Sequence, residues 1–157
     1  MFRWLLGLIV VAVLVFCGLY IAAGRGAPPA LAITRPDRFV GQTGELEVTA
    51  DAPKAKFTAL SVSLEQNGRS LPLFALGGPG SPSSTSSPSN NAATVTPVDA
   101  NRLKITRPIG KRDLADLQAG AARIVVTATR PGLLNLRQLT STTSKDFQVR
   151  LEPPWLT

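Results

Sequence analysis

The residues from Trp4 to Ala23 carry no charge, and this run constrains the chain more than any other feature. At about 1.5 Å of rise per residue, a helix of that length covers the roughly 30 Å hydrocarbon core of a bilayer. Leu5, Leu6, Leu8, Ile9, Val10, Val11, Val13, Leu14 and Val15 make it apolar on every side. Such a helix belongs deep in a protein core or in lipid, and 157 residues are too few to enclose it. Trp4 and Tyr20 stand near its ends, where amphipathic rings favour the membrane interface. The reading is a transmembrane signal-anchor over residues 1–24, with Trp4, Leu5, Leu8, Val11, Leu14 and Tyr20 as anchoring side chains.

A cleavable signal peptide is the competing reading, since Arg3 supplies a basic start and Ala22-Ala23-Gly24 a small-residue site. Signal peptides usually carry apolar stretches of about 7–15 residues, shorter than this one, which favours an uncleaved anchor. A lipoprotein signal at Leu14-Val15-Phe16-Cys17 fails on the bulk of Phe16, so Cys17 reads as a small apolar helix residue. Arg25, Arg35 and Arg38 follow the run, and the flanking positive charges therefore do not favour export of the remainder. An exported body is still the expectation, because a lone N-terminal apolar segment is handled much like an export signal.

Beyond the anchor, residues 25–30 read as a Gly/Pro linker. Gly77 to Asn91 (GGPGSPSSTSSPSNN) is of low complexity and predicts a flexible Ser/Pro/Gly loop over 77–93. Elsewhere the dominant period is two. Leu60, Val62 and Leu64 alternate with Ser61, Ser63 and Glu65 across Phe57–Gln66, as in a half-buried strand. Asn67-Gly68 follows, the pair best suited to a type I′ turn, and Arg69–Leu76 returns as the second strand of a hairpin. Further strands are predicted at Leu31–Arg35, Glu45–Ala50, Thr94–Val98, Arg102–Arg107, Arg123–Thr129 and Asp146–Leu151. Asp113–Ala119 and Leu133–Leu139 predict short helices from apolar residues three apart. The fold class is mainly β: an immunoglobulin-like antiparallel β-sandwich over residues 31–152 with one or two short helices, then a linker stub at 153–157.

The chain has 17 Lys and Arg against 10 Asp and Glu, no histidine and one cysteine. Protein zinc sites rest mainly on Cys and His, and Ser-His or Cys-His dyads need an imidazole. An enzyme is therefore not expected, nor a catalytic residue, metal site or cofactor. Pro108-Ile109-Gly110-Lys111-Arg112 lacks the second glycine and the Gly-Lys-Ser/Thr ending of a phosphate loop, and reads as a turn after a strand. Glu45 and Glu47 share the polar face of one strand, while Asp113 and Asp116 suit the first turn of a short helix. Neither pair requires an acid–base role, and nothing sets a Ser beside a buried Lys.

Three long segments carry a resemblance: VSLEQNGRSLPLFAL (Val62–Leu76), LKITRPIGKRDLADLQAGAARIVVTATRP (Leu103–Pro131) and VRLEPP (Val149–Pro154). They resemble the N-terminal region of membrane-anchored bacterial cell-wall peptidases of the lysostaphin type, zinc endopeptidases that cut peptide cross-links in peptidoglycan. The resemblance runs from about residue 33 to 154. It implies an anchor and an immunoglobulin-like region ahead of a catalytic module. That module holds zinc through a His, an Asp four residues on and a His-x-His pair, none of which can be matched in a chain without histidine. The expectation is a non-catalytic accessory domain, single-pass in the bacterial cytoplasmic (inner) membrane, with its C-terminal domain extracytoplasmic. The alternative is a fragment that takes part in peptidoglycan hydrolysis only with a separate or lost catalytic module, since Pro153-Pro154-Trp155-Leu156-Thr157 stands where the family continues into further domains.

The positive excess supplies the candidate contacts. Arg102, Lys104, Arg107, Lys111, Arg112 and Arg123 are the residues expected to meet an anionic polymer by salt-sensitive attraction. The competing reading is an ordinary solvated surface with a basic tilt. The partners considered are the lipid bilayer, peptidoglycan or another anionic envelope polymer, and a peptidase catalytic chain. Nucleic acid is not expected, because Phe39, Phe57, Phe74 and Phe147 read as core positions rather than stacking platforms.

Overall fold

Period-two alternation places every second side chain on one face of a strand, and here those faces turn toward each other. The computed structural model describes residues 2–24, 26–53, 56–77, 93–132, 135 and 137–151. After helix α1 (Phe2–Gly24) come strands β1 (Ala30–Arg35), β2 (Phe39–Val40), β3 (Glu45–Asp51), β4 (Ala59–Gln66) and β5 (Arg69–Leu76). Strands β6 (Thr94–Asp99), β7 (Arg102–Pro108), β8 (Gly120–Pro131) and β9 (Gln138–Val149) complete the order. They form two sheets, β1-β3-β7-β6 and β2-β9-β8-β4-β5, antiparallel throughout except for the short parallel pair β2–β9. The chain is thus mainly β, a two-sheet sandwich preceded by one apolar helix.

The core is what the alternation promised. Leu46, Val48 and Ala50 of β3 and Ile105 of β7 face Leu60, Val62 and Leu64 of β4 and Ala122, Ile124, Val126 and Ala128 of β8, all buried. Phe147 and Val149 of β9 close one end of this layer, with Val40, Ile109 and Leu117 from the connections. In the β4–β5 hairpin, Asn67 and Gly68 adopt φ of 52° and 75°, the left-handed geometry that a two-residue turn requires. A bulge opposite Val62 and Ser63 adds Leu73 beside Pro72, which cannot donate to the ladder, and Leu73 turns into the core.

Three expectations are corrected. Asp113–Ala119 is a run of turns rather than a helix. Gly110 O accepts from both Asp113 N and Leu114 N, and Leu117 N turns back to Leu114 O. Burial of Leu117 and capture of the Leu117 carbonyl by Lys111 Nζ at 2.7 Å pull the segment out of helical register. Of Leu133–Leu139, the described positions hold Asn135 in a 3₁₀ turn rather than in an α-helix, with Asn135 N bonded to Gly132 O at 3.3 Å. Asn135 has φ of 59°, Gly132 N donates to Arg137 O at 2.7 Å, and Gln138 already belongs to β9; residues 133, 134 and 136 lie outside the described residues. The last strand runs from Gln138 to Val149 rather than from Asp146 to Leu151, because β8 offers a full twelve-residue partner. β2, only two residues long, was not expected. The predicted loop falls almost wholly on 78–92, outside the described residues, as does the stub at 153–157.

The register gives the sandwich two distinct ends. β1, β4, β7 and β9 start at the end from which α1 enters; β3, β5, β6 and β8 finish there. That near end holds the described connecting residues 52–53, 56–58, 100–101, 132, 135 and 137. The far end holds 36–38, 41–44, the Asn67–Gly68 turn, 109–119 and Leu151. Twelve-residue strands make the body about 40 Å long between its ends. The linker is not a free spacer. Pro29 is fully buried, and Arg130 donates to Ala27 O through Nε at 2.8 Å and through Nη2.

Candidate interaction surface

The six basic residues proposed as contacts do not gather on one face. Arg102 and Lys104 project from the outer face of the first sheet, where cross-strand neighbours are acidic. Arg102 pairs with Asp51 at 3.2 Å and Lys104 with Glu47 at 3.1 Å, while Arg35 pairs with Glu45 at 3.2 Å on the same face. Glu45 and Glu47 therefore do share a polar face, and each carboxylate is occupied by a cation. Arg123 lies on the outer face of the second sheet and meets Asp146 at 2.6 Å across the β8–β9 pair. That contact raises the Arg123 pKa and lowers that of Asp146, in each case chiefly through the hydrogen bond between them.

Arg107 is different in kind. It follows Ile105 by two residues and so turns inward, reaching from the first sheet to the second, where Nη1 donates to Leu73 O. Burial lowers its pKa, partly offset by Asp113, and its Nε is buried without a partner. Arg107 is a tie between sheets. Lys111 is likewise turned onto backbone, donating to Ala115 O and Leu117 O. Asp113 accepts from Gly110 N through Oδ2 at 3.2 Å, capping the turn it was expected to begin. Arg112 is exposed, and its backbone N–H donates to Gln42 O at 3.2 Å.

What the far end does assemble is a pair of grooves flanking the Asn67–Gly68 turn, each with charged side chains among its lining. One, of about 510 Å³, is lined by Glu65, Arg69, Ser70, Arg123 and Asp146 among others. Its neighbour, of about 640 Å³, is lined by Asn67, Arg69, Ser70, Asp116 and Gln118. Between them Gln66, 8% exposed, is locked in place: Nε2 donates to Gln118 O at 2.8 Å and Oε1 accepts from Gln118 N at 3.0 Å. Asn67 Nδ2 donates to Gln118 Oε1 at 2.8 Å. These contacts clamp the turn to the β7–β8 connection and hold the two grooves apart. The signal for Gln66 was present in the sequence, as a polar residue at the inward position after Leu60, Val62 and Leu64.

Trp4, Leu5, Leu8, Val11, Leu14 and Tyr20, the residues expected to anchor the chain, are all exposed, Trp4 at 87% and Tyr20 at 48%. From Trp4 to Ala22 the helix is long and apolar enough to cross a membrane, and none of that stretch is covered by protein. Cys17 is exposed on the same helix. Comparison with protein-family models gives no match, and comparison with curated proteins gives none either.

Proposed function

We propose that α1 is an uncleaved membrane anchor and that the sandwich is a non-catalytic accessory module of bacterial cell-wall metabolism, held on the outer side of the cytoplasmic membrane. One observation carries the reading: the apolar helix enters at one end of the body, while the mixed-charge grooves and Leu151 lie at the other, about 40 Å away. A body so built is a spacer. It lifts whatever its far end holds, or whatever chain follows Leu151, clear of the membrane surface. The three segments resembling lysostaphin-type peptidases supply the cell-wall assignment. Peptidoglycan, or a peptidase chain acting on it, is the partner this reading names, met by the mixed-charge grooves rather than by a continuous basic face.

Full-length protein in detergent is incubated with purified peptidoglycan at low and high salt. Retention that falls with salt and is weakened by Arg69→Glu with Arg112→Glu supports the reading; retention equal to that on bare resin overturns the binding role. Protease treatment of intact spheroplasts is expected to degrade the body, and full protection would reverse the orientation.

A further inference from the structure

The near end of the sandwich carries a charge arrangement that the spacer role does not use. Lys56, Arg130 and Arg137 all lie in or beside its connections, and Lys56 and Arg137 are exposed. None of the three has an acidic partner among the described residues. Arg130 is hydrogen-bonded, but to the neutral Ala27 carbonyl, which leaves its charge uncancelled. Arg102 stands at the same end with its charge already met by Asp51, so among the described residues Asp99 is the remaining carboxylate there. The near end is therefore net positive. The far end mixes both signs, with Glu65, Asp113, Asp116 and Asp146 among Arg69, Lys111, Arg112 and Arg123.

Distance makes this charge consequential. Ala27 lies three residues beyond the end of α1, at most about 10 Å of extended chain, and the Arg130 guanidinium is bonded to it. Buried Pro29 keeps the linker from paying out further. The headgroup region adds roughly 5–8 Å to each side of the hydrocarbon core, and screening at physiological salt acts over about 8 Å. Resting on the anchor reading of α1, we propose that the near end of the sandwich docks through Lys56, Arg130 and Arg137 onto anionic phospholipid headgroups of the bilayer that holds α1, setting the body upright. A cation close to an anionic lipid surface strengthens association by about fivefold, so three together bias the tilt of a tethered domain substantially.

Full-length protein is placed in nanodiscs of phosphatidylcholine alone and of phosphatidylcholine with phosphatidylglycerol, and amide hydrogen exchange is compared. Segments 52–58 and 132–137 are expected to exchange several-fold more slowly with phosphatidylglycerol present, with no change at the Asn67–Gly68 turn or at 109–119. High salt should erase the difference, and so should Lys56→Glu with Arg137→Glu while circular dichroism remains β-rich. The wild-type comparison between the two lipids stands even if that double variant fails to fold. Identical exchange in both discs, or protection spread evenly over both ends, overturns the docking and leaves the anchor intact. Failure to enter neutral discs overturns the anchor reading and the docking with it.

Discussion

Arg123 and Asp146 show how little a single exposed contact decides. Their 2.6 Å hydrogen bond lowers the Asp146 pKa, so its ionised form is favoured in the folded state. A depressed carboxylate adds stability above the unfolded pKa of about 3.9 and loses it as pH falls through the folded value. Titration of the Asp146 carboxyl by NMR should give a midpoint below the ordinary aspartate value, and Arg123→Ala should return it to that range with the fold unchanged. Buried apolar residues matter far more. Ile105, fully enclosed at the centre of β7, should cost about 2–5 kcal/mol when changed to Ala. Urea unfolding would report this as a lower midpoint with an unchanged slope.

Among elements, two turn glycines separate backbone from packing. Gly68 sits at φ of 75° with open space around a hypothetical Cβ, so Gly68→Ala should cost only the left-handed penalty, about 1–2 kcal/mol. At Gly77, φ is 65° and a Cβ would lie 2.2 Å from Thr58 O, so Gly77→Ala should be clearly the worse of the two in thermal unfolding. Equal losses would mean that the contact at Gly77 relaxes freely. β9 shows the limit of periodicity as a guide. Its first eight residues, Gln138 to Lys145, put Ser and Thr on both faces and have no apolar rhythm. It is a strand because each residue pairs with β8, and because Thr127 meets Thr142 at 3.2 Å and Thr129 meets Thr140 at 3.0 Å.

For the whole molecule, the two-ended layout makes the apolar helix separable from the body. Val11→Arg near the middle of α1 should disfavour insertion by about 2.5–3.5 kcal/mol. It should leave the β signal in circular dichroism intact, since among the described residues none of α1 belongs to the core. Flotation with vesicles would show the loss, and undiminished flotation would mean that α1 is not what holds the protein to lipid.

The helix, most strands and the Asn67–Gly68 turn were legible in the sequence because each depends on local pattern: an unbroken apolar run, a period of two, a pair tolerant of positive φ. The short helix at Asp113 was misread for the same reason, since three-residue spacing of leucines does not reveal that Lys111 will take a carbonyl, and after Gly132 it does not reveal that Asn135 will sit left-handed in a 3₁₀ turn. Sequence also counted the positive charges correctly but could not say where they would lie. Whether Arg107 points inward, whether Arg102 faces Asp51, and whether Lys56, Arg130 and Arg137 meet at one end depend on strand order and register. Those are set by long-range burial, which only the assembled sheets express.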